Sequence, residues 1–288
     1  MPGGLRPGFF MSRFSFPMIL IVISLSIPKW AQSQVIVSIP PQKHFIEQIA
    51  GDQVQAEVML TPGESPETFS PSPRQLTRLA KARVYIHIGV PFERHWTKSL
   101  QAMNPDMKII HCCNQFDEVT KRLHQGDVHY WTDPVFVIQY LETILNVLIE
   151  LQPENQDLFQ SNLQAYQESL RQLDNYIIGQ LKNLKMDHFI ISHAALDAFA
   201  QRYGLVQLSI EQSGRESGPK NLISIMTSAK AKGIKTIFDL EQHHTRTVIN
   251  LANQLGANIV SLDPLAQDYF TNMYEMTEQL LVALGKNE

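Results

Sequence analysis

The chain has 288 residues, which is enough for one large or two medium domains. Apolar residues make up 44 % of it and charged residues 18 %, a composition typical of globular and not of disordered proteins. The net charge of −4 excludes the basic surface that nucleic acid requires, so nucleic acid is not an expected partner.

The first 33 residues have the pattern of a secretory signal. Arg6 and Arg13 supply positive charge, Phe14–Ile27 forms an apolar segment, and Ala31-Gln32-Ser33 is a small-x-small cleavage site. The apolar segment is shorter than the roughly 20 residues that span a bilayer. We therefore expect a cleavable signal peptide over residues 1–33 and export to the periplasm. The cut lacks the cysteine of a lipobox, so no lipid anchor is expected.

After the signal, short apolar runs rich in β-branched residues alternate with helical patterns. Eight runs are predicted as strands: Val35–Ile39, Val54–Leu60, Val84–Ile88, Met107–His111, His188–Ser192, Leu205–Ile210, Lys235–Asp239 and Asn258–Leu262. Strands that alternate with helices indicate parallel sheets covered by helices. The sequence thus predicts an α/β fold with two lobes, each a four-stranded, mostly parallel sheet flanked by helices.

A long helix is predicted between the two sets of strands, from Glu154 to Leu184. Its apolar residues recur at steps of three or four: Phe159, Leu163, Tyr166, Leu170, Leu173, Ile177, Leu181 and Leu184. A coiled-coil seam is the alternative, but the steps break a strict heptad. We expect one rigid helix that joins the lobes. The predicted boundaries are 34–150 for the N-terminal lobe, 151–185 for the helix and 186–288 for the C-terminal lobe.

Two further helix starts are encoded locally. Ser72-Pro73 and Asp133-Pro134 each place a capping side chain before a proline at the first helical position. The two cysteines of the chain, Cys112 and Cys113, are adjacent, so a bridge between them would be strained. We expect them to end a buried strand, in a chain that relies on its core and not on disulfides.

Four distant residues are candidate metal ligands: Glu67 in a Pro-rich loop, His129 before a helix, and His193 and Asp263 directly after strands. In α/β sheets, ligands bind beyond the carboxyl ends of the strands. Two imidazoles and two carboxylates suit Zn²⁺, Mn²⁺ or Fe²⁺. Four protein ligands leave little room for a catalytic water, so the pattern favours capture of an ion over catalysis.

Simpler interpretations stay open. Asp263 could cap a helix that starts at Pro264, and Glu67 could be a solvated loop carboxylate like Glu64. The polar segment Glu211–Pro219 is predicted as a loop at the edge of a cleft. Six other histidines are expected to be packed or on the surface: His44, His87, His95, His111, His124 and His188.

The candidate segments resemble the metal-binding proteins of zinc and manganese ABC uptake transporters, the zinc-binding type of the cluster A-I solute-binding family. The resemblance runs from Val35 nearly to the C-terminus. It is carried by Ile49-Ala50-Gly51-Asp52, the Pro62–Pro73 loop, Ile88–Glu93, His129–Pro134, Ser192-His193-Ala194 with Tyr203-Gly204-Leu205, and Leu262–Tyr269. It implies two α/β lobes joined by one long helix, with a metal in the cleft.

The resemblance also assigns the ligands. His129, His193 and Asp263 match the second, third and last ligands of the family pattern, and Glu67 stands where the family usually has histidine. A carboxylate there hardens the site toward manganese or iron, whereas the imidazole of His193 favours zinc. Zn²⁺ is the first expectation, with Mn²⁺ or Fe²⁺ as alternatives.

The implied function is capture of a divalent transition metal in the periplasm and its delivery to an ABC permease for import. The sequence contains no G-x-x-x-x-G-K-[ST] loop, so the energy would come from a partner ATPase. A metal-dependent hydrolase is the alternative, but no H-E-x-x-H pattern is present. We expect a monomer without enzymatic activity.

Overall fold

The computed structural model describes Gly4 and residues 35–112, 128–212, 215–216, 218–243 and 245–287. The predicted signal peptide, His124 and Cys113 lie outside the described residues. Residues 32–288 belong to one compact unit. The lobe boundaries at residues 150 and 186 stay a prediction.

Nine strands form two sheets within these ranges. They are β1 (Val35–Val37), β2 (Ala56–Val58), β3 (Val84–His87), β4 (Lys108–His111), β5 (His188–His193), β6 (Val206–Gln212), β7 (Arg215–Glu216), β8 (Thr236–Leu240) and β9 (Asn258–Leu262). The first sheet has the order β2-β1-β3-β4 and the second the order β7-β6-β5-β8-β9. All pairs are parallel except β6 with β7.

The predicted α/β class is therefore confirmed, with two parallel sets of four strands. The short antiparallel strand β7 was not predicted. The interpretation of Glu211–Pro219 as a loop was wrong in part, because Glu211 and Gln212 continue β6 and Arg215–Glu216 pairs back onto it. Each parallel strand pair is linked by a crossover, as such a register requires.

The α-helices of the described ranges cover these sheets. They are α1 (Pro40–Ala50), α2 (Pro73–Leu79), α3 (Glu93–Met103), α4 (Pro134–Leu151), α5 (Gln156–Gln180), α6 (Asp197–Tyr203), α7 (Pro219–Lys232), α8 (Arg246–Leu255) and α9 (Tyr269–Leu284). The predicted starts at Pro73 and Pro134 are confirmed. Ser72 accepts a hydrogen bond from the backbone of Gln75, and Asp133 accepts bonds from Val135 and Phe136.

The long helix is present as α5, with 25 residues that span about 38 Å. It ends four residues before the predicted Leu184. The backbone beyond its end pairs with the C-terminal tail: Lys185 N donates to Gly285 O at 2.9 Å, and Asn287 N donates to Asn183 O at 2.9 Å. These tertiary hydrogen bonds replace those of another helical turn.

A single hydrophobic core runs through both sheets and the long helix. It contains Val35 and Ile86 of the first sheet, Leu170 of α5, and Ile191 and Leu262 of the second. A smaller cluster lies under α7 and α8. Since one core serves both halves, the ends of the two sheets are held in fixed relation.

Helix α4 is apolar and 18 residues long, the one helix in the described ranges that could span a membrane by length and composition. More than half of its residues are buried inside the protein, among them Val137, Leu141 and Ile144. It is therefore a core helix of this fold.

Cys112 follows β4 and is itself fully buried. The expectation that it ends a buried strand was wrong, because Lys108 of β4 is exposed and Ile109–His111 are half-buried. Cys112 is disulfide-bonded.

Candidate metal centre

The loop between β2 and α2 carries Glu67 in a hydrogen-bonded turn. The backbone N–H groups of Thr68 and Phe69 donate to Ser65 O at 3.2 and 3.0 Å, and Glu67 N donates to Ser65 Oγ at 3.2 Å. Phe69 packs edge-on against Phe92 at 5.1 Å. This buried aromatic pair anchors the loop, so Glu67 is held in place with its side chain only 12 % exposed.

His129 precedes a short 3-10 turn over Tyr130–Thr132. The backbone N–H and the hydroxyl of Thr132 both donate to His129 O, at 3.1 and 2.8 Å. The His129 ring lies 5.2 Å from the ring of Trp131, which is almost fully buried. Trp131 in turn donates from Nε1 to Pro264 O at 2.7 Å. The backbone of His129 is thus fixed, and its neighbour reaches the loop that follows β9.

An ion-pair network lies next to the Tyr130–Thr132 turn. Asp133 caps α4 and lies 3.4 Å from Nε of Arg202. Arg202 also makes a bidentate pair with Asp174 at 2.7 and 2.6 Å, and Tyr203 donates to Asp174 at 2.9 Å. Burial, and then the Asp174 carboxylate, raise the pKa of Tyr203, so its hydroxyl stays a donor. The network connects the start of α4 to α5 and α6, next to His129.

His193 is the last residue of β5, where its position opposite Glu211 of β6 sets its direction. The residue is 2 % exposed. Ser192 Oγ accepts a hydrogen bond from Leu240 N at 2.9 Å, which links the ends of β5 and β8. The sheet edge therefore holds His193 rigidly.

Glu67, His129 and His193 meet at this edge. His193 Nε2 lies 3.2 Å from Glu67 Oε1, and the ring centroids of His129 and His193 are 5.4 Å apart. On a tetrahedral zinc with bonds of about 2.0–2.1 Å, two ligand atoms are about 3.3 Å apart and two imidazole centroids about 5 Å apart. The separations match those of ligands that share one ion.

Asp263 follows β9, and its carboxylate is held by hydrogen bonds from neighbouring residues. Its Oδ1 accepts hydrogen bonds from Gln242 Nε2 at 2.8 Å and from Leu265 N at 3.0 Å. The prediction that a helix starts at Pro264 was wrong, because α9 begins at Tyr269 and Asp268 caps it. Within the described ranges, no set of three or more His, Cys, Asp or Glu side chains has the full arrangement of a metal site.

A cavity of about 10 Å³ lies between these residues. Its lining is Pro66, His129, Trp131, His193, Ala195, Leu240, Gln242, Pro264 and Leu265. The volume is that of a single water-sized sphere, whereas pockets for organic ligands have roughly 300–1,000 Å³. The size suits one ion, and Gln242 and Leu265 bring the Asp263 carboxylate to its edge.

Sequence reasoning missed the residues that support the site. Gln242 and Arg202 were not predicted to contribute, although Gln242 follows β8 at the same edge of the sheet as His193. The strand-end rule that selected His193 and Asp263 applies to Gln242 as well. Nothing in the local sequence connects Arg202 to Asp133 or Asp174.

Comparison with known proteins places the chain in a family. The family model described as "Zinc-uptake complex component A periplasmic" matches residues 35–283. The chain belongs to this family. Its members are periplasmic solute-binding proteins of metal uptake systems, and this chain is accordingly a component of metal transport.

Individual proteins that are similar to this chain support the family assignment. The crystal structure of ZnuA is 32 % identical and superposes with a TM-score of 0.82, covering 88 % of this chain and all of that one. A Chlamydia muridarum protein provisionally described as metal-binding is 28 % identical over 84 % of this chain and 88 % of its own length. The zinc-binding protein AdcA of Streptococcus pyogenes is 24 % identical over 86 % of this chain and 55 % of AdcA.

Proposed function

We propose that this protein captures a divalent transition metal, Zn²⁺ first, with Glu67, His129, His193 and Asp263 as its ligands. The observation that supports this most strongly is the contact of Glu67 with His193 beside the ring of His129. The two histidines also line a cavity the size of one ion. Asp263 completes the set when its carboxylate turns from Gln242 into the cavity.

The choice of metal follows from the donor atoms. Two imidazoles favour Zn²⁺, whereas two carboxylates also accept Mn²⁺ or Fe²⁺. The relatives named for zinc support the same order of preference, in which zinc comes before manganese or iron(II). Zinc is therefore the proposed cargo, and manganese or iron(II) is the alternative.

The cargo is handed to a membrane permease that a separate ATPase drives. The family description as a component of an uptake complex supports such partners. The sequence pattern of residues 1–33 supports export of the chain to the periplasm, where it acts as a monomer without catalytic activity. Retained growth on scarce zinc after deletion of its gene would contradict the transport role.

The ligand assignment is tested by titrating metal-free protein with Zn²⁺ and Mn²⁺ in competition with a chelator. His129→Ala and His193→Ala each remove a nitrogen donor, so each is expected to weaken zinc binding at least about 100-fold. His95→Ala is the matched control, because His95 is exposed on α3. Equal affinity losses in all three variants, or none in the first two, would overturn the assignment.

A further inference from the structure

A second pair of imidazoles lies at the carboxyl end of the first sheet. His87 ends β3 and His111 ends β4, and the two residues are direct partners in the parallel register. Partners in register point to the same face of a sheet. Their ring centroids are 4.6 Å apart with perpendicular planes, and the side chain of His87 is 18 % exposed. Two imidazoles therefore lie side by side at this edge of the sheet.

A buried carboxylate lies beside the first of these rings. Glu93 is 2 % exposed and accepts hydrogen bonds from Ile88 N at 2.9 Å, from Gly89 N at 2.6 Å and from Ser38 Oγ. Its Oε2 lies 3.4 Å from His87 Nδ1. A histidine that directs Nδ1 to a carboxylate presents Nε2 to a metal, and this arrangement is common behind metal ligands.

The ring of His111 lies against the backbone of Gly89. Gly89 has φ of +104°, a conformation that favours glycine, and Nε2 of His111 lies 3.7 Å from the place of a Cβ there. Burial lowers the pKa of His111, and the neighbouring His87 lowers it further.

We propose that His87 and His111 form a second divalent-metal site, which takes Zn²⁺ or a chemically similar cation through two imidazole nitrogens with water completing the coordination. The centroid separation of 4.6 Å is within about 0.5 Å of that expected for two imidazoles on one tetrahedral zinc. Glu93 acts as a positioning residue, since its oxygens are already held by backbone donors.

The second site binds more weakly than the first, because it has two protein ligands and lies on a more open patch. Neither histidine belongs to the ligand set of the proposed function, so this inference stands independently of it. It also departs from the interpretation of these histidines as simply packed or exposed.

Calorimetric titration with Zn²⁺ alone tests the second site. In protein carrying His129→Ala and His193→Ala together, which lacks both nitrogen donors of the first site, one weak binding event is expected to remain. Adding His87→Gln or His111→Ala should weaken that event at least tenfold, whereas adding His95→Ala should not change it. His87→Gln retains a donor toward Glu93, and unchanged thermal unfolding of the metal-free variants verifies that they fold.

Nuclear magnetic resonance of the histidine rings gives a direct readout. Zn²⁺ is expected to shift the ring resonances that disappear in the His87 and His111 variants, in the wild-type protein as well as in protein carrying His129→Ala and His193→Ala together. Absence of those shifts, or a weak event that survives both substitutions, would overturn the second site. Failure of the proposed function would instead appear as a tight event that persists when His129→Ala and His193→Ala are combined.

Discussion

At the scale of single residues, Glu67 is the proposed ligand that we predict to stand where the family usually has histidine. Its loop holds the side chain 3.2 Å from His193 Nε2, where the usual imidazole would also reach. A carboxylate adds negative charge and a harder donor than imidazole. The identity of this one side chain should therefore adjust the preference between zinc and manganese more than it affects the fold.

We expect Glu67→His to keep or raise zinc affinity and to weaken manganese binding, because imidazole is the softer ligand. Competition titrations with both metals measure this ranking. Glu64→His is the matched control, since Glu64 is exposed in the same loop and should alter neither affinity. A gain in manganese affinity, or the same shift from Glu64→His, would count against Glu67 as a ligand.

At the scale of elements, α1, α5 and α9 meet in an aromatic cluster around His44. The rings of Tyr166, Tyr269 and Phe270 lie 6.0–6.5 Å from it. Burial lowers the pKa of His44, against the opposing charges of Asp268 and Glu47. The three helices thus pack around an imidazole that is neutral in the folded state at neutral pH.

This packing predicts a pH-dependent stability. A folded-state pKa below the unfolded value of about 6.5 means that the unfolded chain takes up the proton first. The stability contribution is therefore complete above about pH 6.5 and is lost as pH falls toward the folded pKa. We expect His44→Phe to flatten the decline of unfolding free energy between about pH 7 and pH 5, as measured by urea denaturation.

The decline in unfolding free energy should not vanish in His44→Phe, because the pKa of His111 is lowered, like that of His44. His95→Ala provides the control, since His95 is exposed on α3. An unchanged slope in His44→Phe would show that His44 does not titrate between the folded and unfolded states as inferred.

At the scale of the whole molecule, the two sheets share one core and are connected across the site by Trp131. Its Nε1 donates to Pro264 O at 2.7 Å, which joins the turn before α4 to the loop after β9. Two of the proposed ligands, His129 and Asp263, stand beside the ends of this bond. Release of a bound ion should therefore require this contact to loosen.

We expect Trp131→Phe to speed zinc release about tenfold and to destabilise the fold by about 1–3 kcal/mol, because a buried carbonyl loses its donor. Stopped-flow transfer of zinc to a chelator measures the rate. Trp96→Phe is the matched control, since Trp96 is a half-buried tryptophan on α3. Equal release rates in the two variants would contradict a role for the Trp131 bond.

The sequence by itself determined the elements. Runs of β-branched residues predicted the eight parallel strands, and Ser72-Pro73 and Asp133-Pro134 marked helix starts that the structure confirms. These signals are local, since strand propensity, proline geometry and side-chain caps act within a few residues. The resemblance then selected four residues, Glu67, His129, His193 and Asp263, of which the fold brings the first three into contact.

The tertiary structure alone decided what depends on distant neighbours. The end of α5 is set by pairing of Asn183 and Lys185 with the C-terminal tail, although the apolar stripe continues to Leu184. The partners of Asp263 and the Trp131 bond to Pro264 likewise join segments far apart in the chain. Local patterns cannot encode such contacts, because they arise only when sheet register and a shared core bring the segments to one edge.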